Sequence, residues 1–232
     1  MRTKKIAVTI NKGGMGKTMV TRSMATAAAL AGLNVLALDL DTQQNTTGWG
    51  TRRQKLGDKP LPLTKFTTEN DLHVELLRAE SDGCDLVFID TPPGRSSEAM
   101  AAVEFADLVL IPFWNDQDAY EGVLKTASLA RRIGRPAYGV LNFATPNSRT
   151  HEDTAREVLS VIPLPFVPVV LHRYEAHRLA SIKGLTAQES EPDSIPSAEI
   201  AALWNWLSAT LQKEINAIEQ LYDDAIVHKG AA

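Results

Sequence analysis

The stretch Lys12-Gly13-Gly14-Met15-Gly16-Lys17-Thr18 constrains the fold of this chain more than any other. The apolar, β-prone run Ile6-Ala7-Val8-Thr9-Ile10 precedes it, and a helical stretch from about Lys17 to Ala31 follows. Strand, glycine-rich turn and helix, in that order, is the setting of a phosphate-binding loop. The glycines let backbone N–H groups approach phosphate oxygens with no Cβ in the way, and the helix N-terminus adds partial positive charge. The expected nucleotide-binding set is therefore Lys12, Gly13, Gly14, Met15, Gly16, Lys17, Thr18 and Met19. Lys17 is expected on the β- and γ-phosphates and Thr18 on Mg²⁺. Lys12 is a further cation at the mouth of the loop, and by itself it reads as a solvated loop lysine.

Two other segments carry carboxylates to the place where such a loop needs them. The run Asn34-Val35-Leu36-Ala37-Leu38-Asp39 reads as a strand and continues into Leu40-Asp41. Strand alternation places Asp39 and Asp41 on one face, at the edge of a parallel sheet where ligands lie. Leu86-Val87-Phe88-Ile89-Asp90 has four apolar residues ending in an aspartate, so Asp90 is expected to hold Mg²⁺ through a water. Thr91-Pro92-Pro93-Gly94 then forces a turn, with the Gly94 N–H a candidate sensor of the γ-phosphate.

Further strands are expected at Leu61 to Phe66, Asp107 to Pro112, Ala137 to Asn142 and Phe166 to Leu171. Helices are expected over Gln117 to Ile133, around Arg156 to Val161, and from about Ser197 to Ala225. In the last, Ile200, Leu203, Trp204, Leu207 and Leu211 keep helical spacing. Strands alternating with helices predict an α/β fold: a doubly wound, mostly parallel sheet with helices on both faces, of the P-loop NTPase type. The 232 residues, 44% hydrophobic and 22% charged, suit a single soluble domain over residues 1–232. No apolar run approaches a membrane span, and Met1 to Lys5 leads straight into the first strand, so no signal peptide is expected. The single Cys84 can form no intrachain disulfide, which suits a cytoplasmic protein. A net charge of −4 does not announce a nucleic-acid binder, so any DNA contact must come from a local patch.

The pattern Lys-Gly-Gly-x-Gly-Lys-Thr resembles the deviant Walker A motif of the ParA/MinD family, and Asp-Thr-Pro-Pro-Gly resembles the ParA side of it. The resemblance covers nearly the whole chain, and it implies roles residue by residue. Lys12 would reach across a dimer interface to the partner's nucleotide and act like an arginine finger. Asp41 would position the attacking water, with Asp39 as its companion in the metal and loop network; Thr42 stands where the family usually has proline. Asn142 would contact adenine, although that residue equally suits a turn at a strand end. Leu171-His172-Arg173 would line the base, with His172 in place of a usual proline. Arg173, Arg178 and Lys183 would bind DNA non-specifically; by themselves they also read as a solvated charged face.

The family resemblance thus implies an ATP- and Mg²⁺-dependent partition ATPase: a homodimer when ATP-bound, non-specific DNA as one partner, and a separate centromere- or cargo-binding adaptor as the other. It would be cytoplasmic and nucleoid-associated, with no membrane partner and no N-terminal helix-turn-helix domain. One alternative keeps the cycle but moves a microcompartment, a chemoreceptor cluster or a conjugative complex. A second is a MinD-like membrane-associated ATPase, which the acidic tail (Glu214, Glu219, Asp223, Asp224) disfavours. A third is a metabolic ligase or synthetase, for which the sequence offers no substrate constellation.

Overall fold

The computed structural model describes residues 2–57, 62–94, 96–146, 153, 157, 160, 162 and 164–229, with side chains through residue 213. Six strands, β1 (Lys4–Val8), β2 (Val35–Asp39), β3 (Leu63–Phe66), β4 (Leu86–Asp90), β5 (Leu108–Phe113) and β6 (Ala137–Leu141), form one sheet in the order β3-β2-β4-β1-β5-β6. Every pairing among them is parallel. Around the sheet lie α1 (Lys17–Leu30), α2 (Asn45–Gln54), α3 (Leu72–Ser81), α4 (Ser97–Phe105), α5 (Gln117–Ile133), α6 (Glu175–Ile182), α7 (Ala187–Ser190) and α8 (Ile195–Lys229).

A parallel sheet is covered on both faces, which is why its central strands are apolar at nearly every position. Alternation along β4 divides the core: Leu86 and Phe88 join one apolar layer, Val87 and Ile89 the other. The first layer is closed by Val20, Met24 and Ala28 of α1 and by Ile200, Leu203 and Leu207 of α8. The second is closed by Leu72 and Leu76 of α3, Val103 of α4, and Val123 and Ala130 of α5. The helical spacing in the last helix therefore faces the sheet as expected.

The strand order also places the crevice. The chain leaves β1 toward β2 on one side and leaves β4 toward β5 on the other, so their carboxyl ends frame a topological switch point. There Val8 lies opposite Asp90, and Asp39 lies opposite Asp90 on the other flank.

Some expectations are corrected. Phe166 to Leu171 runs beside β6 without forming a full strand: Val167 N–H donates to Gly139 O (2.9 Å) and Leu171 N–H to Leu141 O (2.9 Å), with isolated bridges at Phe166 and His172. Pro168 has no N–H to give in the middle of that ladder. The helix expected around Arg156 to Val161 falls mostly outside the described residues. Helices α2, α3, α4, α6 and α7 are additions that the sequence reading does not contain.

Helix α2 shows why. Its sequence, Asn-Thr-Thr-Gly-Trp-Gly-Thr-Arg-Arg-Gln, has little intrinsic helix preference, so its stability comes from docking. Trp49 is fully buried and its Nε1 donates to Leu185 O (3.1 Å). Arg53 is fully buried too; it donates to both oxygens of Glu189 (2.6 and 2.5 Å) and to Gly184 O (3.2 Å), and lies over the Trp49 ring. Gly184 has φ +73°, and a Cβ there would come within 2.6 Å of Arg53 N, so only glycine permits this approach. Removing one partner of a buried ion pair strands the other charge. Arg53→Ala is therefore predicted to lower stability by about 3–5 kcal/mol, read by urea unfolding; a change near zero would show that α2 does not depend on this contact.

Candidate functional site

At the switch point a cleft of about 1200 Å³ opens between the loop after β1, the loop after β2 and helix α6. Gly14, Met15, Gly16, Lys17, Thr18 and Met19 form its floor. The loop conformation is imposed from below. Gly16 has φ +82° and caps α1, and a Cβ on it would collide with Asn142 Nδ2 and meet the Phe143 ring at 2.8 Å. Asn142 is fully buried, and its Nδ2 donates to Met15 O (2.9 Å). It is thus first a brace beneath the loop, and its buried Oδ1 receives no hydrogen bond. Phe143 is the neighbour that lines the cleft.

The two lysines of the loop behave differently. Lys17 is buried and donates to Lys12 O (3.3 Å), curling over its own loop. Burial lowers its pKa, while Asp90 and Asp41 act to raise it. Lys12 is half-buried and reaches outward to Asp118 on α5 (2.7 Å), a residue whose side chain is 71% exposed. That hydrogen bond raises the Lys12 pKa and lowers that of Asp118.

The carboxylates also divide. β2 ends at Asp39, so Asp41 lies beyond the strand and the expected alternation does not reach it. Asp39 is fully buried; its Oδ1 accepts from Asp41 N–H (3.1 Å) and its Oδ2 from Thr47 N–H (2.9 Å). It thereby caps the first turn of α2, with both oxygens engaged by backbone. Burial raises its pKa. Asp41 lines the cleft, and its Oδ1 accepts from Gln43 N–H (2.9 Å). That side-chain turn holds the loop where Thr42 replaces proline.

Asp90 is 1% exposed, and burial pushes its pKa up to about 6, with the hydrogen bond from Thr46 and the nearby Thr18 hydroxyl acting to lower it. Thr46 Oγ1 donates to Asp90 Oδ2 (2.6 Å), while Oδ1 receives no hydrogen bond. A buried anionic oxygen without a partner, beside the Thr18 and Thr46 hydroxyls, fits a hard divalent cation such as Mg²⁺. Among the expected metal residues, Thr18 and Asp90 suit this role, whereas Asp39 uses its two oxygens to hold the backbone of Asp41 and Thr47.

Other expected residues lie elsewhere. Gly94 borders a separate cavity of about 920 Å³ between α4 and α5, while Thr91 and Pro93 face the nucleotide cleft. His172 turns away from the cleft: its Nδ1 lies 2.6 Å from Glu199 Oε1 on α8, and its N–H donates to the other oxygen (2.9 Å). Arg173 and Arg178 line the cleft, with Arg178 paired to Glu175, and Lys183 is exposed at the end of α6. Thr46, Phe143, Arg22 and Arg52 join the site without any sequence signal of their own. None belongs to a motif, and only the closeness of Thr46 to the Asp39–Asp41 segment could have suggested it.

Comparison with known proteins agrees with this architecture. The profile of the CobQ/CobB/MinD/ParA nucleotide binding domain matches residues 6–187. The chain is 30% identical over 198 residues to the "Maintenance of carboxysome distribution protein A" of Gloeobacter kilaueensis, covering 81% of this chain and 89% of that one. It is 33% identical over 147 residues to the "Chromosome-partitioning ATPase Soj" of Thermus thermophilus, covering 53% and 59%. Among solved structures, the septum site-determining protein MinD complexed with Mg-ADP from Pyrococcus horikoshii superposes with TM-score 0.69 at 20% identity, covering 87% of this chain and 94% of that one. A complex of Cyanothece McdA with ATP superposes with TM-score 0.71 at 16% identity, covering 90% and 97%.

The geometry of the cleft makes two measurable demands. Gly16→Ala forces a Cβ into Asn142 and a strained φ, so nucleotide binding should fall by at least about tenfold in calorimetry. For Asp90, the folded state holds the proton more tightly than the unfolded chain, so its contribution to stability declines as pH rises from about 4 through 6. The rise from 3.8 to about 6 corresponds to about 3 kcal/mol at ~1.4 kcal/mol per pH unit. The nucleotide-free Asp90→Asn variant should therefore be more stable than wild type at pH 7.5, by about 1–3 kcal/mol, and converge with it below pH 4, in urea melts at the two pH values. It should also lose the extra stability that Mg²⁺ confers with nucleotide. The Gly-Lys-Thr loop on a switch-point sheet and the match over residues 6–187 together make this chain a member of the MinD/ParA family of nucleotide-binding proteins.

Proposed function

We propose that this chain is a partition ATPase that uses ATP and Mg²⁺ to form a face-to-face homodimer, binds DNA without sequence preference in that state, and is released when a centromere-binding adaptor stimulates hydrolysis. The observation that carries this reading is the division between the two loop lysines. Lys17 is folded over its own loop, whereas Lys12 points to the surface and pairs with an exposed aspartate. An exposed ion pair is weak and exchangeable, so Lys12 is available to the phosphates of a second subunit's nucleotide. Mg²⁺, when bound, would neutralise charge on the β- and γ-phosphates, and the residues suited to hold it are Thr18 and Asp90. Asp41 is the cleft carboxylate suited to orient a water. Asn142 would contact adenine only on leaving its place beneath the loop, where its Oδ1 is buried. The exposed Lys183 and the cleft-lining Arg173 and Arg178 supply candidate contacts to DNA phosphates. The expected setting is cytoplasmic, on the nucleoid.

One observation favours a second reading of the cargo. The likeness to a carboxysome distribution protein extends over 81% of the chain, which suits the same cycle with a protein microcompartment in place of a plasmid. Pull-down with the product of an adjacent small gene, followed by asking whether that product binds repeated DNA or a shell protein, separates the two.

Lys12→Ala should keep ATP affinity within about threefold, because its ammonium is not in its own loop, yet abolish ATP-dependent dimerisation, DNA retention and stimulated turnover. Equilibrium nucleotide binding, light scattering and retention on duplex DNA with ATP or ADP check this. Equal, nucleotide-independent DNA retention in both proteins would sink the proposed cycle.

A further inference from the structure

The nucleotide cleft contains more positive charge than a P-loop requires, and two of its arginines form no close ion pair among the described residues. Arg22, one turn beyond Thr18 on α1, donates from Nη1 to Ser181 Oγ (2.8 Å). Arg52, on α2, donates from Nη2 to Ser181 O (3.3 Å). Two guanidinium groups from different helices thus converge on one residue of α6, and all three residues line the cleft. No carboxylate forms an ion pair with either arginine among the described residues. Asp90 and Asp39 attract Arg22 from a distance, while Glu175 pairs with Arg178, and Glu189 with Arg53. Arg22 Nε is buried and makes no hydrogen bond among the described residues, and the same holds for Nε2 of His177, another residue of the cleft wall. The underside of Arg22 rests 5.8 Å from the centre of the fully buried Trp49 ring.

Like charges brought together in a partly buried place repel, and a buried donor without a partner carries a desolvation penalty. Holding Arg22 and Arg52 together at Ser181 favours an anion that fits between them. Two guanidinium forks with a hydroxyl alongside match the oxygens of a tetrahedral oxyanion.

We propose that Arg22, Arg52 and Ser181 form a second oxyanion subsite in the cleft, beside the P-loop and separate from its β- and γ-phosphate positions, that binds a phosphate-class anion. The phosphate could be free, as orthophosphate or pyrophosphate, or part of a DNA backbone. The subsite does not depend on the partition reading, because its residues are distinct from the loop, from Lys12 and from Asp41.

The test uses full-length protein saturated with MgADP, so that the P-loop is filled, and titrates orthophosphate and pyrophosphate by calorimetry. A Lys17→Ala variant without nucleotide is titrated in parallel, to exclude binding in the P-loop itself. Arg22→Gln and Arg52→Gln should each weaken the anion by about tenfold or more, and Ser181→Ala less, each variant being titrated at a MgADP concentration that saturates it. Arg52 is exposed, so its variant keeps the test valid if Arg22→Gln folds poorly. In a second arm, duplex DNA retention is measured against salt concentration. A slope reduced by about one in Arg52→Gln identifies the backbone as the source, and an unchanged slope with lost pyrophosphate binding identifies the free anion. The proposal is overturned if neither phosphate nor DNA distinguishes the arginine variants from wild type. Failure of ATP binding or turnover in wild type would count against the partition ATPase and leave the titration in Lys17→Ala to decide the subsite.

Discussion

Two carboxylates buried side by side at the end of a parallel sheet set the terms for everything around them. Asp39 and Asp90 are register neighbours on β2 and β4, and almost no surface of either reaches solvent. Buried charges need partners, and the two are satisfied in different ways. Asp39 uses both oxygens on the backbone of the following turn and helix. Asp90 is held by one hydroxyl and leaves an oxygen open. The first carboxylate therefore shapes a loop, and the second retains capacity for a cation. Lys17 and Arg22 supply the balancing positive charge from α1.

The same arrangement ties the loop that carries Asp41 to the far wall of the cleft. Asp39 caps α2 at its N-terminus, and at the other end Trp49 and Arg53 anchor α2 on residues 184–189. α2 is thus fastened at Asp39 on one end and at the segment after α6 on the other.

The motifs and the tertiary contacts contribute separately to function. The P-loop, Asp90 and the sheet make a nucleotide site, as in many proteins of this architecture. What narrows it is the position of Lys12 outside its own loop and the surplus of guanidinium groups near Ser181. On the readings proposed above, both are charges available to something beyond one bound nucleotide: a second subunit in one case, a second oxyanion in the other.

The loop, the sheet and most of its strands were legible in the sequence because they rest on local signals. Glycine spacing, apolar runs ending in aspartate, and strand–helix alternation each act over a few residues. The apolar stripe of the last helix was readable for the same reason. Tertiary structure alone decided what depends on contacts distant in the chain. It showed that Asp39 and Asp41 part company, because β2 ends between them. It turned Asn142 under the loop and tied His172 to Glu199. It interrupted the expected last strand at Pro168, and it made a helix of residues 45–54 by burying Trp49 and Arg53 against residues more than 130 positions away. Local spacing reports which atoms are available; only the packed fold decides which of them are already spent on a neighbour.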